Sequence, residues 1–191
     1  PVSQRMNLRF GAHPSALCLG TTPAGASLRG GVSGGKEDTI HPARHSCFLY
    51  WHPLVEEPAL IAHVPESLLD TLGAIYEARG RSVTFDATPT KITEGGERVR
   101  SRLDSVRGVA WIEVDRVTRG CLDGIRAARE AMESSAGAQT IFVDLPIDDP
   151  GCAFVAEELL ADGLRLAGIG PRLRAVADER RGRDVLRTQR H

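Results

Sequence analysis

The sequence predicts an α/β fold, a mixed β-sheet flanked by helices, on three observations. Short β-branched and aromatic runs alternate with segments whose apolar residues recur at helical spacing. Glycines stand where those helical segments stop, at Gly80, Gly137 and Gly163. The composition, 41% hydrophobic and 26% charged over 191 residues, is that of a chain able to enclose a substantial core. Only 5% is aromatic, so Leu, Val, Ile and Ala must supply most of that core.

The elements follow in order. Met6 and Phe10 lie four apart, behind Ser3 as a suitable N-cap and ahead of Gly11, which predicts one short helix. Ala16 to Gly20 reads as a strand. The stretch that follows, with Pro23, Gly25, Gly30, Gly31, Gly34 and Gly35, reads as a flexible linker over residues 23–45. Cys47 to Trp51 and Ala59 to Val64 are apolar runs bounded by proline, predicted as strands that could pair with each other. Leu68, Leu69, Leu72, Ile75 and Tyr76 mark the first long helix, stopped by Gly80. Residues 86–97 are loose, and Arg98 to Leu103 alternates as an exposed strand does. Val109 to Val117 is β-rich, and Leu122, Ile125, Ala128 and Met132 share one face of a helix reaching Ser135. Thr140 to Leu145 is a buried strand, and Asp149 and Pro150 suit an N-cap and first turn for a helix over Ala153 to Leu160. Leu164 to Ile169 and Asp184 to Arg190 are the closing strands. The main domain is therefore placed at residues 46–191, behind a helix-strand unit at 1–22.

A formal net charge of −1 gives no bulk attraction to phosphate backbones or anionic lipid. Lysines are confined to Lys36 and Lys91, and the basic C-terminal stretch, Arg172 to Arg190, has no interleaved aromatics for stacking on bases. No nucleic acid and no membrane are expected as partners. No apolar run approaches the ~18 residues of a membrane span, and Pro1 to Arg5 lacks a signal-peptide core, so the expected location is the cytoplasm. Cys18, Cys47, Cys121 and Cys152 are scattered, without the pairs of a zinc site or the density of a disulfide scaffold, and read as small buried hydrophobes. His41, His45 and Cys47 carry ligand types at close spacing, but Pro42 interrupts any helix that would align the two histidines. No metal is expected.

The order of strand, helix, buried strand, glycine-stopped helix and two final strands resembles the GNAT acyltransferase superfamily. Asp144, Pro146, Asp149, Pro150, Gly163, Gly168, Gly170 and Pro171, then Val185, Leu186, Arg187 and Gln189, resemble the degenerate GNAT-like domains of bacterial tandem proteins. Residues 1–22 are similar to the last helix and strand of a preceding half. In active members the central strand leads into a glycine-rich loop, R/Q-x-x-G-x-G/A, whose backbone N–H groups hold the CoA pyrophosphate. Here the turn reads Val117, Thr118, Arg119, Gly120, Cys121, Leu122. Gly120 fits the pattern. Val117 replaces the leading polar residue, and Leu122 puts a branched side chain where close backbone approach is needed.

The resemblance therefore implies a non-catalytic GNAT-like accessory subunit, without a cofactor, that binds and stabilises a partner enzyme in a hetero-oligomeric complex, with bacterial secondary metabolism as the setting. The competing reading is an acyl-CoA-dependent N-acetyltransferase with an atypical loop, in which Arg119 and Gly120 hold acetyl-CoA. Such an enzyme needs a base, for which Glu113 and Asp115 on the central strand are candidates, but exposure to solvent accounts for both. Tyr76 sits on the apolar stripe of its helix and reads as core. Tyr50 and Trp51 are the candidate partner-binding residues, because Tyr and Trp are enriched at interface hot spots. Core packing competes with that reading, most strongly for Phe48.

Overall fold

The computed structural model describes residues 2–24, 43–52, 57–88, 92, 95, 99–134, 137–171 and 184–190. In chain order the elements are α1 (Val2–Arg9), β1 (His13–Thr22), β2 (His45–Trp51), β3 (Leu60–His63), a 3-10 turn, α2 (Leu69–Arg79), β4 (Val83–Asp86), β5 (Val99–Asp104), β6 (Val109–Val114), α3 (Cys121–Ser134), β7 (Thr140–Pro146), α4 (Cys152–Ala161), β8 (Arg165–Pro171) and β9 (Asp184–Arg190). Seven strands form one mixed sheet in the order β2-β1-β8-β9-β7-β6-β5, and β3 and β4 form a separate parallel pair. Only β6 and β7 run parallel among the neighbours of the large sheet. The expected α/β architecture is present.

Each helix ends where the sequence lets it. The chain leaves α2 through Gly80 in the left-handed region, φ 68°, with the Arg81 N–H returning to the Tyr76 carbonyl at 3.2 Å. An L side chain at that φ is strained, which is why a glycine marks the stop. Gly168 has a stricter requirement. Its φ is 132°, and a Cβ there would strike the Ser15 carbonyl and Ala16 of β1. It forms the Ala16 to Gly168 contact through which β1 joins β8, beside a register shift between Leu166 and Gly168.

The core lies mainly on one face of the sheet. Ile112, Val114, Ile141, Val143, Leu145, Ile169 and Leu186 form a buried cluster with Leu72 and Tyr76 of α2, Ile125 of α3, and Val155 and Leu159 of α4. Each such side chain contributes roughly 1.5–3 kcal/mol through burial. A smaller cluster of Ala16, Cys18, Val109, Phe142 and Ala167, with Leu49 and Trp111 against it, occupies the other face. β7 serves both clusters and is buried at every position, so its sequence is mostly apolar rather than alternating, and its one charge, Asp144, is paired with Arg187.

Several expectations are corrected. β2 does not pair with the 59–64 run. It pairs antiparallel with β1, and β3 pairs parallel with β4, a strand the sequence reading missed. α1 begins at Val2, so Ser3 lies inside it, and Met6 within it and Phe10 just past its end are exposed at 53% and 69%. β6 stops at Val114, three residues early, because the chain turns aside to meet Asp149, whose carboxylate accepts the Val117 N–H at 3.1 Å. Asp149 is not the N-cap of α4 either. Gly151 holds that position, and its N–H donates to Asp149 at 3.0 Å. Residues 25–42, including His41, and residues 172–183, which carry most of the C-terminal arginines, lie outside the described set.

Candidate functional site

β6 and β7 are paired from Val109 and Thr140 to Glu113 and Asp144 and then separate. α3 and α4 start in the space this opens. Asp149 ties the two exits together by accepting both the Val117 and Gly151 N–H groups. Val117 is 2% exposed. It is packed so close to Gly151 that a Cβ on that glycine would come within 2.5 Å of the valine Cγ1. The position expected to carry a polar phosphate-loop residue is therefore part of the core.

Beside it lies a cavity of about 560 Å3 lined by Ile92, Thr118, Arg119, Leu122, Asp123, Phe154 and Val155. Thr118 is 3% exposed and its hydroxyl has no hydrogen-bond partner among the described residues. Such a group costs about 1–3 kcal/mol of desolvation. The first-turn N–H groups of a helix have no intrahelical acceptors and lie at the positive end of its dipole. α3 has Asp123 in that first turn, whose carboxylate offsets the positive end.

As a seat for the CoA pyrophosphate that the resemblance implies, this end of α3 fits poorly. Arg119 lies on the cavity wall and Gly120 immediately precedes α3, as the motif requires. The Leu122 side chain, however, forms part of the wall, and Asp123 sets a negative charge beside the place for the phosphates. The candidate bases are also engaged. Asp115 pairs with Arg100 at 2.7 Å and Glu113 with Arg102 at 3.7 Å, both arginines belonging to β5. Neither carboxylate lines the cavity.

The aromatic strand β2 lies at the opposite end of the sheet, so the structure does not bring Tyr50 and Trp51 together with Arg119 and Gly120. Phe48 is 47% exposed, a correction to its reading as core, and Leu17, its register partner on β1, is 38% exposed. Tyr50 is half-buried with its ring 6.3 Å from that of Phe48. Trp51 is held differently. Its indole N–H donates to Glu57 at 3.2 Å, and Arg79 stacks over the ring at 4.9 Å.

That arginine opens onto a buried ionic cluster absent from the sequence reading. Asp184 Oδ2 accepts from the Tyr76 hydroxyl at 2.9 Å, Arg79 at 3.0 Å and Arg81 at 2.8 Å. Glu57 accepts the other Nη of Arg79 at 3.0 Å. Burial, then the Asp184 charge, push the Tyr76 phenol far above its usual range. Its proton stays in place as a donor.

The cysteines also depart from a uniform reading. Cys18, Cys121 and Cys152 are buried, but Cys47 is exposed. Nothing local in the sequence announces that Cys47 stands directly opposite Cys18 on the neighbouring strand. For metal binding, no group of three His, Cys, Asp or Glu side chains comes together among the described residues. His45 heads β2, and His63 lies 3.4 Å from Asp86.

No helix among the described residues is long and apolar enough to cross a membrane. No family model matches the chain, and no curated protein or solved structure matches it either.

Proposed function

We propose that the chain is a GNAT-like accessory subunit, not an independent catalyst, that binds and stabilises a partner enzyme. The observation that carries this reading is β2, an edge strand whose outer side pairs with no other strand among the described residues. It presents Phe48 beside Leu17 as an apolar patch with Tyr50 next to it. Strands of this kind invite addition of another chain, and rigid aromatics supply much of the energy of such contacts. The succession β6, α3, β7, α4, β8, β9 agrees with the order that the resemblance implies and supports its GNAT-like part. Leu122 and Asp123 at the start of α3 and the arginine-paired Glu113 and Asp115 support its non-catalytic part.

Phe48→Ala and Tyr50→Ala test the proposal. Both variants are expected to keep the circular dichroism spectrum of the parent and to lose co-purification with an enzyme co-expressed from a neighbouring gene. Trp51→Ala is expected to lose stability as well, because it removes the donor to Glu57. Variants that bind the partner as the parent does would refute β2 as the contact.

One observation favours a second reading, an acyl-CoA-dependent N-acetyltransferase. A cavity of about 560 Å3 at the start of α3, with Arg119 on its wall and the buried Thr118 hydroxyl unpartnered, has the size and donors of a ligand site. Calorimetry with acetyl-CoA separates the two. The accessory reading predicts no saturable heat, and it predicts that Thr118→Val raises stability by about 1 kcal/mol by removing an unsatisfied hydroxyl. Saturable binding abolished by Arg119→Ala and weakened by Thr118→Val would replace the first reading with the second.

A further inference from the structure

We propose that Cys18 and Cys47 form a redox-active dithiol that a peroxide oxidises to a reversible cross-strand disulfide between β1 and β2. The two residues are direct register partners in the antiparallel β1 and β2 ladder. Such partners project from the same face with Cα atoms about 4.5 or 5.5 Å apart, according to the hydrogen-bonding site. Both spacings lie within the roughly 4.4–6.8 Å that a disulfide spans. The ladder is irregular just beyond the pair, between Cys18 and Thr22, which gives the strands local freedom to adjust.

The environments of the two sulfurs differ in the way that a dithiol of this kind needs. Cys47 is exposed, and the Thr21 hydroxyl donates to its Sγ at 3.4 Å. Cys18 is 6% exposed and lies behind it in the sheet. Arg187 of β9, fixed by two hydrogen bonds of 2.7 and 2.6 Å to Asp144 of β7, stands beside Cys18. The hydrogen bond from Cys18, then that from Thr21 and the charges of Arg187 and Arg107, hold the Cys47 thiol down to about 6. Its partner is raised, first by its hydrogen bond to Cys47 and then by burial. Cys47 is thus the attacking thiolate and Cys18 the resolving thiol.

The chemistry balances with hydrogen peroxide as the oxidant. The Cys47 thiolate attacks one peroxide oxygen, the O–O bond breaks and hydroxide leaves, giving a sulfenic acid at Cys47. The Cys18 sulfur then attacks the Cys47 sulfur, the S–O bond breaks and the oxygen leaves as water with the thiol proton. Two thiols lose two electrons, and one peroxide becomes two waters. A dithiol reductant reverses the bond by thiol exchange.

Cys121 and Cys152 are both fully buried and serve as internal controls. The native protein is treated with a slight excess of hydrogen peroxide, its remaining thiols are counted under denaturing conditions, and its peptides are mapped. The expected result is loss of two of the four thiols, a Cys18 to Cys47 linked peptide, and full recovery with dithiothreitol. Cys18→Ser should leave a Cys47 sulfenic acid that dimedone traps, and Cys47→Ser should retain all its remaining thiols. Iodoacetamide should label Cys47 of the reduced protein with a midpoint near pH 6. Retention of all four thiols in the treated wild type would overturn the proposal. So would a linkage between chains, or loss of Cys121 and Cys152 at the rate of Cys47. Each of these overturning results is read on the wild-type chain, without a variant and without a partner.

Discussion

Replacing Asp184 by alanine should be among the most damaging single changes in this protein. Its side chain is 2% exposed, and those of Arg79 and Arg81 are 1% and 6% exposed. With Glu57 the cluster holds two cations and two anions, so its formal charge is zero. Asp184→Ala leaves a net positive charge in a buried site and strands the Tyr76 hydroxyl with no acceptor for its proton. Breaking a buried pair from one side costs about 3–5 kcal/mol, a large part of the roughly 5–15 kcal/mol of a typical fold. At about 2–4 °C per kcal/mol for a chain of this size, the melting temperature should fall by about 6–20 °C. Tyr76→Phe removes a neutral donor and leaves both arginines paired, so it should cost only about 1 kcal/mol. Urea unfolding followed by circular dichroism measures both. A loss below about 1 kcal/mol for Asp184→Ala, or equal losses for the two variants, would refute the claim that uncompensated buried charge sets the cost.

Two further outcomes follow from local geometry. Gly168→Val forces a β-branched residue into φ 132° and drives its Cβ into the backbone of β1, so it should cost about 3 kcal/mol or more, with hydrogen-exchange protection lost first in β1 and β2. Protection lost evenly across the sheet would count against that local account. The Arg126 hydrogen bond holds the Asp162 carboxyl below its usual range, so this group stabilises the fold above its unfolded-state pKa and loses that effect as pH falls through the lower folded value. Asp162→Asn should therefore be destabilised at neutral pH and should show a shallower loss of stability than the parent as the pH falls below about 4, the ordinary value of an Asp carboxyl. Parallel curves for the two proteins would show that the ion pair contributes nothing.

The parts of the fold that were legible in the sequence are those whose signal is local. α2, α3 and α4 announce themselves through apolar spacing and a closing glycine, and β7 through the β-branched and aromatic run Ile141 to Val143. β4 escaped because Val83 to Asp86 is four residues with two polar positions, too short for its alternation to stand out. Strand pairing was not legible at all, because β1 meets β2 across the connection that separates them and β8 across most of the chain. The buried charges failed for the same reason. Arg79 and Asp184 are 105 positions apart, and each alone looks like a solvated surface residue. At the candidate site the sequence singled out Arg119 and Gly120 by their motif. It missed Thr118, whose isolation is a fact of packing.

The two edges of the large sheet differ in how open they are to another strand. β5 is guarded. Arg100 and Arg102 are exposed on it and paired to Asp115, just past β6, and to Glu113 of β6, with Arg102 also lying 4.1 Å over the Trp111 ring. A strand carrying exposed cations resists the approach of another strand, since those charges would have to be desolvated. β2 has no Lys, Arg, Asp or Glu from His45 to Trp51, and it exposes Phe48 instead. On the accessory reading this contrast makes β2 the edge left open for a partner and β5 the edge protected against one. The dithiol belongs to the same edge, because Cys47 directly precedes Phe48. A bond from Cys47 to Cys18 would tie β2 to β1, its neighbour in the sheet among the described residues, so oxidation would stiffen the surface on which the aromatic residues stand without touching the cavity at α3.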